Sequence, residues 1–335
     1  MMVSVFAPAS IGNVSVGFDL LGAAIKPIDG EPLGDVVTAS LIDSGITVTT
    51  TGRFAHKLPD DAQQNIVYQC AAYFLVQLDD DGINHKRANT SSSENSHDNP
   101  YENKRGVHLT LEKRLPIGSG LGSSASSIVA CLSALNQLFG HAFSDDQLLL
   151  MMGEFEGKIS GSIHYDNVAP SYLGGMQLMV EQPNKLTSTL PIIDNWYWVV
   201  AYSGASVSTA AAREVLPKTV ELSTAITFAK NLAVFVDAVH NKDSHLAEAM
   251  LNDVIAEPHR QHLLPNFEQA KAQLSYLGVK TVGISGSGPT IFAVAHSLAQ
   301  ATAAKQCLEE HYIQHDTGFA HICQIDDIGA REITI

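Results

Sequence analysis

Apolar and polar positions along this 335-residue chain change period several times, and each change marks a predicted element. Val3 to Ala7 alternates as a strand until Pro8-Ala9-Ser10-Ile11-Gly12-Asn13 breaks the alternation, which predicts a loop or the start of a short helix. Asp35 to Leu41 and Ile46 to Thr51 predict two more strands. Asn65 to Leu78 has the helical period, with Ile66, Val67, Cys70, Phe74 and Leu78 inward. Apolar residues almost vanish from Asp79 to Gly106, so this stretch cannot bury a core and predicts a flexible polar surface insertion, its His85 and His97 merely solvated. Val107 to Leu111 returns as a strand, and Ser144 to Met152 predicts a capped helix that closes at Gly153. Gly174 to Val180 and Trp196 to Tyr202 then predict strands of a second layer, placing a domain boundary near Pro170 and two units at 1–170 and 171–335. Val207 to Arg213 reads as a Ser/Thr-capped helix start, and Asp253 to Arg260 as the end of another helix. Strands at Thr281 to Ser285 and Thr290 to Val294, a helix from Ala299 to His311 and a strand near His321 to Gln324 give a βαβ-like end.

Composition narrows the class. With 45% apolar and 16% charged residues, the chain is globular and long enough for two domains and a sizeable core. A net charge of -15 argues against nucleic acid or an anionic membrane as partner, so any anionic ligand must be held by local groups. No charged-then-apolar leader precedes Val3, and no apolar run approaches the ~20 residues of a membrane span, which predicts a cytoplasmic protein. Cys70, Cys131, Cys307 and Cys323 lie far apart without a C-x-x-C pair, so they read as buried thiols in a reducing compartment, with neither disulfide nor zinc.

The candidate chemistry centres on Pro116-Ile117-Gly118-Ser119-Gly120-Leu121-Gly122-Ser123-Ser124-Ala125-Ser126, which runs into an apolar helix with Ile128, Leu132, Leu135 and Phe139 at helical spacing. Three glycines permit positive-φ turns that bring backbone N–H groups close to an anion. Ser123 or Ser124 would cap the helix, whose positive end favours phosphate. A Gly/Ser turn that merely starts a helix is the plainer reading. A Walker A loop fails because no lysine follows Gly122, and the dinucleotide fingerprint fails because the spacing is G-x-G-x-G. The stretch resembles the second motif of the GHMP kinases, a family of small-molecule kinases.

Further stretches resemble the same family. Pro8-Ala9-Ser10, Asn13 and Gly17-Phe18-Asp19 are similar to its first motif, and Gly283 to Thr290 to its third, which closes against the nucleotide loop. Glu156-Gly157 followed by His164-Tyr165-Asp166-Asn167-Val168 resembles a further family pattern, with extra residues between Gly157 and His164. Arg213 and Arg260 are the only arginines between Leu115 and Ala330, and each is a planar fork that matches a carboxylate. Both stand in patterns similar to those of members acting on the amino acid L-homoserine.

The resemblance implies an α+β two-domain GHMP kinase fold, with an N-terminal, ATP-binding half like the second domain of ribosomal protein S5 and a ferredoxin-like C-terminal half. It implies ATP and Mg2+, with phosphates on Pro116 to Ser126, Asn65 on the adenine side, and metal on Glu156 (or Glu154) and Ser124 (or Ser123). L-homoserine would have its carboxylate on Arg213 and Arg260, its hydroxyl beside Asn13 and Asp19, and His164 and Thr209 nearby. Another GHMP kinase or a non-catalytic nucleotide-binding sensor stays open, and a homodimer is compatible with either.

Overall fold

The computed structural model describes the backbone of residues 1–88, 106–160, 163–182 and 184–334, and their side chains except 80–88, 159 and 160. Thirteen strands lie in this backbone: β1 (Met2–Pro8), β2 (Ser10–Gly12), β3 (Leu21–Pro27), β4 (Gly34–Ile42), β5 (Ile46–Thr51), β6 (Gly106–Glu112), β7 (Met176–Gln182), β8 (Lys185–Leu190), β9 (Tyr197–Tyr202), β10 (Thr281–Ile284), β11 (Thr290–Ala295), β12 (Phe319–Ile325) and β13 (Arg331–Glu332). The α-helices are α1 (Ile66–Ala88), α2 (Ser123–Leu138), α3 (Asp145–Ser160), α4 (Val168–Leu173), α5 (Thr209–Glu214), α6 (Leu222–His240), α7 (Ser244–Met250), α8 (Glu257–Arg260), α9 (Phe267–Tyr276) and α10 (Leu298–His311).

One sheet runs β13-β1-β4-β6-β5, antiparallel except for the parallel pair β5 and β6. Its inward residues, among them Val5, Val37, Leu109 and Leu111, form a core with Phe74 of α1, Ile128, Leu132 and Leu135 of α2, and Phe155 of α3. The second sheet runs β10-β11-β9-β12-β3-β7-β8. Within it β9, β10, β11 and β12 have the order of a βαββαβ unit, with α9 before β10 and α10 between the parallel strands β11 and β12. This is the expected ferredoxin-like half. Period-2 alternation divides its two faces: Phe292 and Val294 join a core with Trp198 and Phe235 of α6, while Ile291, Ala293 and Ala295 join one with Phe267 and Leu308.

The two sheets exchange strands. β3 comes from the N-terminal stretch yet pairs with β12 and β7 in the second sheet, and β13 returns from the C-terminus to pair with β1 in the first. The division near Pro170 remains a proposal about folding units; these two strands cross it in space.

Several elements depart from the sequence reading. Ser10 to Gly12 is a strand, because it pairs with β3 in a contact that local alternation does not encode. α3 does not close at Gly153 but runs on to Ser160, placing Glu154 and Glu156 on a helix. Asp253 to Arg260 ends no helix; Asp253 accepts the N–H groups of Ile255, Ala256 and Glu257 and so opens α8. α1 continues to Ala88, into the stretch expected as a polar insertion, and the rest of that stretch up to Arg105 lies outside the described residues. α6 is long and apolar enough, by length and composition, to cross a membrane, where the sequence reading expected no apolar run near that length.

Candidate active site

A cleft of about 540 Å³ lies where the glycine loop, the β2–β3 connection, α3, α5 and the β10–β11 loop meet. Its floor is built from Lys113, just past the end of β6. The ammonium is buried and donates to Ser123 O at 2.7 Å, to Ser127 Oγ at 2.9 Å and to the Asp35 carboxylate. Asp35, fully buried, also accepts Ser127 Oγ–H at 2.7 Å and the N–H groups of Arg114 and Leu115 at 2.9 Å each. The pair fixes both the strand that enters the loop and the helix that leaves it. Two fully desolvated charges survive only when their remaining hydrogen-bond sites are filled, as here.

Above this floor the loop turns through positive φ at Gly118, Gly120 and Gly122, at 64°, 81° and 62°. A Cβ on Gly120 would stand 2.9 Å from the backbone nitrogen of Gly288 and closer still to Ser285 O, so only glycine fits there. Ser285 Oγ–H donates to Gly120 O at 2.6 Å and Thr290 N–H to Ser119 O at 2.9 Å. The two glycine loops are therefore joined. The N-cap of α2 is Gly122 rather than a serine: Ser123 Oγ–H donates to Leu115 O, and Ser124 Oγ–H to the Glu156 carboxylate at 2.9 and 3.0 Å. The N-terminal N–H groups and positive end of α2 face the cleft.

Of the residues expected at phosphate, Ile117, Gly118, Ser119, Gly120, Gly122, Ser123 and Ser124 line the cleft. Pro116, Leu121, Ala125 and Ser126 do not. Leu121 and Ala125 are core, and Ser126 Oγ–H donates to Ala7 O at 2.7 Å. Asn65 is also off the wall; its Oδ1 accepts Val67 N–H at 3.1 Å and starts α1, while Leu58, Pro59, Gln64, Ile66 and Gln69 line that end.

The opposite wall holds the other predicted residues. Asn13, Val14 and Ser15 form a left-handed turn with φ of 69°, 45° and 53°, and Asp19 has φ of 58°. A β-branched residue with positive φ is strained, and such strain collects at functional sites. Asn13 ties this turn to the rest: its Oδ1 accepts Asp19 N–H at 2.9 Å and its Nδ2 donates to Gly286 O at 3.2 Å. Arg213 grips Asp19 in a bidentate pair at 2.9 and 3.2 Å, and a His164 ring nitrogen is 3.8 Å from the same carboxylate. Burial pushes the His164 pKa down, which keeps the ring neutral at pH 7. Arg260 is 3% exposed and donates to Ala212 O at 3.0 Å and Gly286 O at 2.9 Å. Both guanidiniums stand over the Phe18 ring, at 6.0 and 5.3 Å. Burial, then the charge of Arg213, lowers the Arg260 pKa; two cations in one dry wall favour an anion between them. Thr209, the first residue of α5, completes this side, and Ser208 Oγ caps that helix by accepting Ala211 N–H at 3.1 Å.

Glu156 is buried on α3, and burial raises its pKa. A buried carboxylate beside a serine hydroxyl, at the tip of a phosphate-sized loop, is a hard oxygen donor set that fits Mg2+. Glu154 is exposed and accepts Tyr73 Oη–H at 2.8 Å, away from the cleft lining.

Sequence reasoning gave no role to Asp35, Lys113, Asp166 or Asn167. Asp166 is buried in the cleft, and burial, then Asp19 and Glu156, push its carboxyl up to about 7. Asn167 Oδ1 accepts Ser10 Oγ–H at 2.9 Å and links the first motif to α4. Asp166 and Asn167 stand next to His164 in a polar run before a helix, a signal that was readable. Nothing in the spacing of Asp35 and Lys113 joins them.

Comparison with known proteins adds a second line of evidence. Residues 85–175 match the model of the GHMP kinases N terminal domain, and residues 235–314 match that of the GHMP kinases C terminal domain. The chain is similar over 99% of its length to homoserine kinase from Cytophaga hutchinsonii, with 32% identity, 97% of that chain covered and a TM-score of 0.83. A putative homoserine kinase from Listeria monocytogenes shares the fold at 20% identity, with both chains covered in full and a TM-score of 0.67. The fold is also that of L. major mevalonate kinase in complex with R-mevalonate, at 16% identity, 96% and 95% coverage and a TM-score of 0.66. With two joined glycine loops at one cleft, both family models matched in order and a relative aligned almost end to end, the chain belongs to the GHMP kinase family.

Proposed function

We propose that this kinase transfers the γ-phosphoryl group of ATP to the side-chain hydroxyl of L-homoserine, giving ADP and O-phospho-L-homoserine, a step toward threonine. The observation that carries the reading is the pair Arg213 and Arg260, set over one aromatic ring and facing Asn13 and Asp19 in the cleft that also holds the phosphate loop. A neutral alcohol has no use for two guanidiniums. An α-amino acid uses them through its carboxylate.

Phosphoryl transfer needs positioning and charge neutralisation more than covalent chemistry. Backbone N–H groups from Gly118 to Ser124 hold the triphosphate, Arg213 and Arg260 hold the substrate carboxylate, and His164 and Thr209 flank it. Asn13 and Asp19 aim the hydroxyl oxygen at the γ-phosphorus, where the new O–P bond forms as the bond to the β–γ bridging oxygen breaks and the hydroxyl proton passes to Asp19 or to solvent. Ser124 and Glu156 would hold Mg2+, which offsets charge on the phosphate oxygens. The cytoplasm supplies both substrates.

The test is ADP release on a panel of homoserine, mevalonate, galactose and shikimate. Homoserine is expected to exceed the others by at least 100-fold in kcat/KM: galactose lacks the acid and with it charge-assisted bonds of about 1.5–3 kcal/mol each, while mevalonate and shikimate have an acid but neither the α-amino group nor the same spacing from acid to alcohol. Preference for mevalonate, galactose or shikimate would replace this reading with that of another family member, and ATP binding without turnover of any alcohol would replace it with that of a sensor.

A further inference from the structure

Where β3 ends beside β12, a turn gathers three metal-ligating side chains outside the cleft. The antiparallel pairing of Ile325 with Ile25 and Cys323 with Pro27 is carried one step further by Ile28 N–H, which donates to Ile322 O at 2.9 Å. In that register the residue opposite Asp29 is His321, so the two side chains leave the same face of the ladder. The chain then turns at Gly30, with φ of 83°, and Asp29 Oδ1 accepts Glu31 N–H at 3.1 Å, which brings the Glu31 carboxylate to the same place. One donor atom each from Asp29, Glu31 and His321 lies within 4.8 Å of the others.

His321 is the member that asks for a ligand. It stands in one row with Phe319, Cys323 and Ile325, which join an apolar core, and its ring packs 5.2 Å from that of Phe319. The residue is 9% exposed, and its Nδ1 is fully buried without a hydrogen-bond partner. Among the described residues the other ring nitrogen has no partner either, so whichever nitrogen faces the two carboxylates is unpaired. A buried polar atom left so is costly and calls for an occupant. Asp29 and Glu31 are exposed and have no cation partner among the described residues. Besides these two, the charges that reach the ring are Lys305 and Glu309 of α10, which stand 3.7 Å apart and offset one another. The local charge is therefore that of two carboxylates.

We propose that Asp29, Glu31 and His321 hold a divalent transition-metal ion of the Zn2+ class, which fastens the turn after β3 onto β12. An imidazole nitrogen with two carboxylate oxygens suits such an ion better than Mg2+ or Ca2+, which take oxygen shells. Donors around one Zn2+ stand about 3.0–3.6 Å apart, given bonds of ~2.0–2.2 Å, and rotation of the two exposed carboxylates closes the difference. The sequence reading expected no zinc because the cysteines are unpaired; this site uses none of them. None of the three residues lines the cleft, so the ion serves the fold and not the transfer. This inference does not rest on the proposed substrate, since its readout is ion binding alone.

The experiment is calorimetric titration of ZnCl2 into the full chain, stripped of metal by a chelator and free of nucleotide, for the native protein and for Asp29→Asn, Glu31→Gln and His321→Gln. The native chain is expected to bind Zn2+ with a Kd on the order of micromolar or below, and each variant to bind at least tenfold more weakly. At Zn2+ about 100-fold above the native Kd, the melting temperature of the native chain should rise by several degrees, and that of the variants should not. Asp29→Asn and Glu31→Gln keep the size of exposed side chains, so they decide the matter even if His321→Gln fails to fold. A native chain that binds no Zn2+ would overturn the proposal. So would binding and a melting shift that the Asp29 and Glu31 variants retain in full, which would place the ion elsewhere.

Discussion

Lys113 and Asp35 show how much of the site depends on residues that touch no phosphate-loop glycine side by side in sequence. Replacing Lys113 by Ala leaves a fully buried carboxylate without its cation and frees Ser123 O; loss of one partner of such a pair costs about 3–5 kcal/mol, to be read from urea unfolding midpoints. Asp166 gives a pH-dependent prediction. Burial raises its carboxyl to about 7, well above the ordinary carboxylate range, so below that range both folded and unfolded chains hold the proton, and between the two only the folded chain does. Stability therefore falls as pH climbs through this window and stops falling above it. In Asp166→Asn the difference in unfolding free energy between pH 4.5 and pH 7.5 is expected to shrink by on the order of a few kcal/mol. Asn13, Asp19 and the two arginines were legible in the sequence because a polar residue in an apolar stretch, or a scarce guanidinium, stands out locally. Asp35 read as an ordinary strand residue, because its partner arrives 78 positions later along the chain.

At the scale of elements, the glycine loop was legible and its cap was not. The glycines announce positive φ, and all three have it. The serines after them looked like caps, but hydroxyls are free to bond elsewhere, and tertiary contacts at Leu115 and Glu156 claimed Ser123 and Ser124. Likewise Gly153 looked like a stop, yet in α3 it packs against the Tyr165 ring, where a Cβ would stand within 2.7 Å of the ring carbons; the glycine serves close packing rather than termination. The contact between the two glycine loops gives the prediction for this scale. Gly120→Ala places a methyl group against the backbone of Ser285 and Gly288, which cannot yield as a side chain would. We expect ATP affinity, measured by calorimetry, to fall at least tenfold, with a loss of about 1–3 kcal/mol in stability, typical of overpacking.

For the whole molecule, alternation and helical period were enough to place two layers of strands, but not the exchange of β3 and β13 between them, because strand partners are chosen in space. β13 is short, yet Arg331 anchors it: the guanidinium bonds Asp326 at 2.9 and 3.2 Å and Gly329 O at 2.8 Å, and lies over the Phe6 ring at 4.8 Å. Arg331→Ala should cost about 1–3 kcal/mol, lowering the melting temperature by several degrees, while leaving the KM for both substrates within twofold of native. A larger effect on KM would mean that the sheet junction reaches the cleft.

On the proposed function, the bidentate hold of Arg213 on Asp19 sets the two tasks of that wall against one another. An incoming acid that claims the arginine must unseat the aspartate, and an unseated aspartate is at liberty to turn toward an alcohol. If Arg213 takes the substrate's acid and Asp19 its alcohol, as proposed, admission of the right acid would arm the residue at the other end of the molecule. An amino acid of the same length lacking its hydroxyl should trip this exchange and go no further, so 2-aminobutyrate is expected to compete with homoserine, whereas 3-aminopropan-1-ol, which has the alcohol and no acid, should neither compete at equal concentration nor be phosphorylated at more than about a hundredth of the rate.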